Sequence, residues 1–328
     1  MIGVILLNLG GPDSLSAVEP FLYNLFSDRD IIPLPGFIRL PLAFAISRLR
    51  AKRTMKYYRF MGGKSPQKEQ TMAQAKALER ALGSDYKVVV GLRYWHPMIP
   101  EAVNSLPIEE LKALIALPLY PHYSKVTTGS SFKELMRVLK ACRPGPYFSY
   151  AGVKGSFVSY EFPVKFINCY FDHPLYISAM TELILNQLKD PSDYFFIFSA
   201  HSLPESLVKR GDPYVFQIQK TVELVMQNFS NPYALSYQSR VGPNGWVGPF
   251  TEDVLKRVIE EGHRKIAMIP ISFTCEHSET LYEMDYIYGN IASNLGAEFV
   301  RIKTLQTHPL YIEALKELVL SVSQALKR

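Results

Sequence analysis

The sequence predicts an open α/β fold in two parts, and three features of the chain support this prediction. Strand-length apolar runs alternate with helical patterns along the 328 residues. Several of these runs are continuous rather than alternating, as in parallel strands covered on both faces. The segment 142–174 is rich in Pro and Gly and carries no helix-length pattern. We therefore place a domain boundary there, giving domains 1–150 and 151–328, each with three or four parallel strands.

The individual elements follow from local patterns. Thr251 before two acidic residues is a typical helix start, and Gly262 is a typical stop. Strands are predicted over residues 3–9, 87–93, 113–120, 194–200, 233–237, 265–273 and 298–302. Helices are predicted over residues 14–26, 66–82, 130–140, 175–188, 213–229, 251–261, 278–294 and 309–326.

Composition and charge exclude several classes of protein. With 48% hydrophobic and 20% charged residues, the chain is neither disordered nor fibrous. A net charge of +6 admits an anionic ligand, a membrane surface or nucleic acid without choosing among them. Three scattered cysteines with no C-x-x-C spacing predict no disulfide framework and indicate a reducing, cytoplasmic compartment. No phosphate-binding glycine motif follows a strand, which disfavours a nucleotide-binding protein.

Two apolar stretches bear on the membrane. The apolar start of the chain is short and lacks a basic region before it, so we expect no targeting segment. The stretch Ile31–Ile46 holds three prolines and Arg39, so we expect no membrane span there. The following segment 48–68 is basic and contains aromatic residues. This pattern fits a flat ligand with acidic tails, nucleic-acid phosphates, anionic lipid or a solvated basic helix.

Polar and aromatic residues follow every long predicted strand. Ligands of open parallel sheets bind beyond the carboxyl ends of the strands, so these residues are candidates for a site. His201 comes directly after the apolar run 194–200. Burial favours a neutral imidazole that can accept a proton or bind a metal. The alternative is a histidine that only hydrogen-bonds a loop carbonyl.

An acidic segment without bases is the most unusual feature of the sequence. No Lys or Arg occurs from residue 266 to 300, although the chain's average of 36 in 328 residues predicts about four. On a helix, Glu276, Glu279 and Glu283 share one face and repel one another. A divalent cation, Fe²⁺ or Zn²⁺, would relieve this repulsion together with an imidazole. The alternative is a solvated acidic face favoured by the helix dipole.

Taken in chain order, these segments resemble ferrochelatase, the enzyme family that inserts ferrous iron into a porphyrin. Single motifs are weak, but their order along residues 4–288 is specific to the family. The motifs are Leu7-Asn8-Leu9-Gly10-Gly11-Pro12, Gly62-Gly63-Lys64-Ser65-Pro66, Arg93-Tyr94-Trp95-His96-Pro97, Tyr120-Pro121-His122-Tyr123-Ser124, Ser199-Ala200-His201-Ser202-Leu203-Pro204, Tyr237-Gln238-Ser239-Arg240 and Cys275-Glu276-His277-Ser278-Glu279-Thr280-Leu281-Tyr282-Glu283.

The resemblance implies two similar doubly wound domains, each a parallel sheet flanked by helices, with the active-site cleft between them. It implies that His201 and Glu279 are the catalytic pair and contact the metal. Glu283 matches the next catalytic member of a carboxylate ladder. The third ladder position falls at Ile287, which departs from the family pattern and leaves the route of ions beyond Glu283 open.

The resemblance also implies the substrate contacts. Pocket residues are matched by Arg93, Tyr94 and Trp246, with Leu9 facing the macrocycle. The contacts to the porphyrin propionates are matched by Arg50, Tyr58 and Ser65. The stretch Ile31–Ile46 resembles an apolar lip, so we expect loose contact with the inner face of the membrane. We expect no nucleic-acid partner.

The activity implied is insertion of Fe²⁺, as substrate, into protoporphyrin IX with release of two protons, in haem biosynthesis. No tightly bound cofactor is expected. No cysteine follows Cys275, so we expect no iron–sulfur cluster. Three alternatives remain: coproporphyrin III as the substrate, a related chelatase with another metal and tetrapyrrole, or a porphyrin carrier without turnover.

Overall fold

The computed structural model describes residues 1–142, 158–159, 162–240 and 245–325. These residues form two compact units. Unit 1 comprises Met1–Cys169 with Ile312–Arg328, and unit 2 comprises Tyr170–Tyr311. The chain therefore passes from unit 1 to unit 2 between residues 169 and 170 and returns to unit 1 between residues 311 and 312, whereas the predicted boundary after residue 150 lies outside the described residues.

The sheet of unit 1 is built around its first strand. In this sheet β1 (Ile2–Asn8) pairs in parallel with both β2 (Tyr86–Leu92) and β3 (Ala113–Pro118). The sheet continues through parallel β5 (Pro163–Phe166) to a short antiparallel edge strand, β4 (Val158–Ser159). The two last strands were not predicted, because four and two residues within a Pro- and Gly-rich segment give no periodic signal.

Helix α2 (Gly36–Phe60) is the element of unit 1 that the sequence predicts least well, since a basic helix was only one alternative for segment 48–68 and no helix was expected in the apolar stretch before it. It joins the end of the apolar stretch to most of the basic segment, and it tolerates Pro41 near its start. Its buried side chains form only a narrow stripe, so the apolar pattern is weak. The other helices of this unit before the boundary are α1 (Val18–Phe26), α3 (Gln67–Leu82), α4 (Ile99–Asn104) and α5 (Ser130–Cys142).

Unit 2 repeats the strand order of unit 1. In its parallel sheet, β6 (Phe195–His201) lies between β7 (Tyr233–Gln238) and β8 (Lys265–Pro270), and β9 (Glu298–Arg301) pairs with β8. In each unit the chain therefore adds its second strand on one side of the first and its third on the other. Such a reversal creates a binding crevice at the carboxyl ends of the strands. The helices that follow the boundary are α6 (Pro174–Gln187), α7 (Glu205–Lys209), α8 (Tyr214–Met226), α9 (Thr251–Glu260), α10 (Gly289–Asn294) and α11 (Pro309–Gln324).

The parallel sheets flanked by helices confirm the predicted fold class. The central strands β3 and β8 are buried along nearly their whole length, which explains their continuous apolar sequences. One predicted helix, over residues 278–294, is in fact a π-helix at Glu279–Tyr288 followed by α10. Among the described residues no helix is long and apolar enough to cross a membrane.

Candidate active site

His201 is the last residue of β6, at the reversal of strand order in unit 2. Its Nδ1 lies 2.5 Å from the carbonyl oxygen of Ser202. A carbonyl oxygen only accepts hydrogen bonds, so Nδ1 carries a proton, and Nε2 carries a lone pair when the ring is neutral. Nε2 lies 3.5 Å from Oε1 of Glu279. The lone pair and the carboxylate therefore converge on one point, as the two atoms would around a shared proton or metal ion.

Glu279, the first residue of the π-helix, has a second histidine partner. Nε2 of His277 donates to Oε2 of Glu279 at 2.6 Å. Burial alone would raise the pKa of Glu279, but the charge and hydrogen bond of His277, together with the charge of His201, lower it to about 2. The carboxylate is thus ionised at neutral pH. The sequence placed His277 near a strand end and assigned it no role.

Glu283 follows on the same π-helix in a different electrostatic environment. The hydroxyl of Ser239 donates to its Oε2 at 2.6 Å, and Nε2 of Gln238 donates to the same oxygen at 3.1 Å. Burial and the negative charge of Glu279 nevertheless raise the pKa of Glu283 to about 7. One carboxyl of the pair is therefore ionised while the other exchanges protons near neutral pH, as in catalytic carboxyl pairs.

The two donors to Glu283 are held by their own surroundings. The hydroxyl of Ser199 donates to Oε1 of Gln238 at 2.6 Å, which directs the amide nitrogen of Gln238 toward Glu283. The same nitrogen donates to the carbonyl oxygen of Glu279 at 2.8 Å. Ser239 adopts a φ of +64°, a left-handed conformation that is uncommon for a residue other than glycine. Strain of this kind is typical of functional sites.

Glu276 does not share the face of Glu279 and Glu283, so the prediction of one three-carboxylate face is wrong. The π-helix begins at Glu279, and Glu276 lies in the loop before it. Both oxygens of Glu276 accept bonds from Nη1 of Arg301 at 2.9 Å, and one accepts a bond from the backbone N–H of Thr304. Within the described parts of the chain, no group of three or more His, Cys, Asp or Glu is placed to hold a metal ion.

Ile287 lies one turn beyond Glu283, at the position where the resemblance places a third carboxylate. Its side chain packs against the apolar core cluster that includes Met284 and Tyr288. The carboxylate series therefore stops at Glu283 in this chain.

In unit 1, Arg93 and Tyr94 converge on a carboxylate that the sequence did not identify. Oδ2 of Asp28 accepts bonds from Nη2 of Arg93 at 2.9 Å, from the Tyr94 hydroxyl at 2.6 Å and from the Ser130 hydroxyl. Burial opposes ionisation of Asp28, but Arg93 and the two hydroxyl groups lower the pKa of Asp28 below its usual value. Asp28 follows α1 and is 65 residues from Arg93 in sequence, so no local pattern could reveal the contact.

Three of the predicted substrate residues share one apolar cluster. Leu9, Tyr58 and Tyr94 pack with the buried side chains of α1. Arg50 is exposed on α2, and its guanidinium lies 5.5 Å from the ring centre of Phe26, which packs on the same cluster. These four positions therefore belong to one region of unit 1.

Besides Arg93, described above with Asp28, two predicted substrate residues lie outside this cluster. Ser65 is buried; its backbone N–H donates to the carbonyl oxygen of Pro12, and its Oγ accepts a bond from the N–H of Gln67. Trp246 belongs to unit 2, where it pairs as a single β-bridge with Pro204.

Comparisons with known proteins agree with these observations. A family model described as ferrochelatase matches residues 1–322. A ferrochelatase of Sulfurihydrogenibium sp. (strain YO3AOP1) is 57% identical over 98% of this chain and 98% of its own. One from Aquifex aeolicus is 52% identical over 97% and 98% of the two chains. The solved structure of SirB from Bacillus subtilis with Fe³⁺ shares the fold, with a TM-score of 0.57 at 10% identity over 97% of this chain and 94% of that one. The chain belongs to the ferrochelatase family, whose members are lyases that insert iron into a porphyrin.

Proposed function

We propose that this chain inserts Fe²⁺ into protoporphyrin IX, forming protohaem for haem biosynthesis and releasing two protons. Family membership supports iron insertion, and the choice of porphyrin and the residue roles are our proposal. His201 and Glu279 contact the incoming iron, and Glu283 carries protons away.

The observation that carries the proposal is the convergence of His201 Nε2 and Glu279 Oε1 at 3.5 Å. Because the Nδ1 proton is committed to a backbone carbonyl, the free lone pair of the ring faces the carboxylate. Two ligands suit a metal that is a substrate, since the macrocycle supplies four nitrogens and a complete protein cage would retain the ion.

The different states of the two carboxyls provide for the two pyrrole protons. Once the iron has passed to the macrocycle, the vacated Nε2 of His201 accepts one proton, and the ionised Glu279 stabilises the imidazolium before the proton is lost to solvent. Glu283, with a pKa of about 7, accepts the other and returns it to solvent at neutral pH. The balance is one Fe²⁺ bound and two protons released for each macrocycle, so no oxidant or reductant is required.

The proposed substrate anchors favour a porphyrin with few carboxylates. The charge of Arg93 is already offset by Asp28. Arg50 is the other proposed cation, with Ser65 as a neutral donor, and each charge-assisted contact contributes about 1.5–3 kcal/mol. Leu9 and Trp246 contribute apolar and aromatic surface to the macrocycle, and the buried Tyr58 packs in the same cluster as Leu9. Tyr94 is buried and acts through its bond to Asp28.

Steady-state iron insertion with protoporphyrin IX and coproporphyrin III side by side tests the proposal. His201→Ala and Glu279→Gln should each lower kcat at least about a hundredfold. The matched control is His263→Ala. His263 precedes β8 and so lies at the amino-terminal ends of the parallel strands, whereas His201 lies at their carboxyl-terminal ends. A folded His201→Ala or Glu279→Gln variant with the wild-type rate contradicts its role. Comparable kcat/KM on both porphyrins contradicts the choice of substrate.

We also propose that the enzyme works without an iron–sulfur cluster. The support is compositional, because the chain has three cysteines in total and no C-x-x-C spacing. Protein purified without oxygen should show no visible cluster absorption and no bound inorganic sulfide. Stoichiometric sulfide with iron would contradict this.

We further propose that the apolar start of α2 rests on the inner face of the membrane from the cytoplasmic side. Within the stretch Ile31–Ile46, Phe37 is 80% exposed and Phe44 is 51% exposed, and arginines follow along the helix. Phe37→Ser with Phe44→Ser should reduce co-sedimentation with anionic phospholipid vesicles several-fold. Phe216→Ser, which removes a 64% exposed aromatic of α8, is the control and should not reduce it. Equal binding by all three proteins would contradict the proposal.

A further inference from the structure

Arg301 contacts two carboxylates at once while almost completely buried. It is the last residue of β9, and its side chain is 7% exposed. Nη1 donates to both oxygens of Glu276 at 2.9 Å. Nε and Nη2 donate to the two oxygens of Asp285 at 2.6 and 2.9 Å, a bidentate arrangement. All three nitrogens of the guanidinium are therefore engaged by carboxylates.

These two carboxylates lie on either side of the proposed site residues in sequence. Glu276 precedes Glu279 by three residues, and Asp285 follows Glu283 by two. One guanidinium thus holds both ends of the segment that carries the site carboxylates. The segment is in turn fixed to the sheet, because Arg301 pairs with Met268 in the parallel ladder between β8 and β9.

The backbone between these contacts requires tertiary support. Residues Glu279–Tyr288 form a π-helix of ten residues, whereas π-helices are rare and mostly single-turn features of functional sites. Glu279 and Glu283 also lie four residues apart on this helix, where two carboxylates repel each other. A buried bidentate ion pair has the fixed geometry needed to hold such a segment in register.

We propose that Arg301 is a positioning residue for iron insertion. Through Glu276 and Asp285 it sets the position of Glu279 and Glu283 relative to His201, without touching the substrate. The inference rests on the proposed function of these two carboxylates.

The first experiment compares Arg301→Lys and Asp285→Asn with Lys303→Gln, which removes an exposed base two residues beyond Arg301. Lysine cannot form the bidentate contact, and Asp285→Asn weakens only the more exposed half of the cluster, since Asp285 is 38% exposed. Both variants should lower kcat about tenfold and raise KM for Fe²⁺ several-fold, with KM for the porphyrin unchanged. Lys303→Gln should match the wild type. If both variants lower only the amount of folded, active enzyme and leave KM for Fe²⁺ unchanged, the proposal is overturned.

The second experiment repeats Arg301→Lys in a Glu283→Gln background. If Arg301 acts through Glu283, the added loss of kcat/KM for Fe²⁺, which combines the tenfold fall in kcat with the several-fold rise in KM, should shrink to about twofold or less. An equal loss in both backgrounds would overturn the inference. If Arg301→Lys fails to fold, Asp285→Asn replaces it in the same cycle. Full activity of Glu283→Gln alone would instead refute the proposed role of Glu283, so the two failures are distinguishable.

Discussion

Replacement of Asp28 by Asn is expected to destabilise unit 1 strongly, although the two side chains have nearly the same shape. The Asp28 side chain is 4% exposed, and its Oδ2 accepts three hydrogen bonds, one of them from the cationic Arg93. Its Oδ1 accepts a fourth from the backbone N–H of Asp30 at 2.8 Å. An amide retains at most one acceptor atom, so at least one of these donors loses its partner.

The size of the effect follows from these contacts. A hydrogen bond to a charged group contributes about 1.5–3 kcal/mol, roughly twice the contribution of a neutral one. Breaking a buried ion pair costs about 3–5 kcal/mol, and the 20% exposure of Arg93 favours the lower end of this range. We therefore expect Asp28→Asn to lower the free energy of unfolding by about 3 kcal/mol at pH 7.

Tryptophan fluorescence during urea unfolding can assign this loss to unit 1. The chain has two tryptophans, and Trp246→Phe leaves Trp95, which packs on the cluster containing Tyr94, as the reporter. Asp30→Asn is the matched control, because Asp30 pairs with a half-exposed Lys133, and its loss should cost at most about 1 kcal/mol.

The same experiment repeated at lower pH should show a smaller effect of the substitution. The pKa of Asp28 is lower in the folded protein than its ordinary value, so its stabilisation is complete above the unfolded pKa of about 3.9 and is lost as the pH falls. The gap between the wild type and Asp28→Asn should therefore be smaller at pH 3 than at pH 7. A gap below 1 kcal/mol at pH 7, or one that widens in acid, would refute this reasoning.

Three further predictions concern the site of unit 2. Burial and Glu279 raise the pKa of Glu283 to about 7, so its ionisation destabilises the folded state. The melting temperature of Glu283→Gln should therefore rise relative to that of the wild type as the pH increases from 5 to 8. A difference in melting temperature that stays constant over this range would argue against the raised pKa. His277→Gln removes the partner that keeps Glu279 ionised and should lower kcat for iron insertion at least about tenfold, whereas the His263→Gln control keeps the wild-type rate. Ser239→Gly relieves the φ of +64° and should therefore lower the melting temperature less than Ser239→Ala does, while both variants lower activity. Full activity of either variant would exclude a role for the hydroxyl.

Much of the fold was predictable because the strands are apolar and the turns between them are marked. The predicted strand 265–273 begins at the same residue as β8 and ends three residues late, since Ile271 and Phe273 continue the apolar run beyond the last ladder bond. The first half of helix α2 was not predicted and its second half was only one alternative, because the helix buries only Ala43, Ser47, Ala51 and Tyr58 and exposes apolar side chains elsewhere. A helix that leaves apolar residues exposed cannot be identified by a pattern that assumes they are buried.

Site residues could be predicted from the sequence where they directly follow a strand. They could not be predicted where they depend on a contact between residues far apart in sequence. His201 was identified from its place at the end of β6, and the structure brings it to Glu279. Asp28 and Arg301 reach their partners across 65 and 25 residues, and no spacing rule covers such distances.

The base-free stretch of the sequence was first explained by a cation held among Glu276, Glu279 and Glu283. The structure removes Glu276 from this group. Arg301 compensates Glu276 and Asp285, His277 compensates Glu279, and the Tyr194 hydroxyl donates to Glu298. Glu283 receives hydrogen bonds from neutral donors only, among the contacts of the described residues, and it is the one whose pKa rises to about 7. Because no base lies near it in sequence, Glu283 keeps a pKa near neutrality and can exchange a proton beside the ionised Glu279.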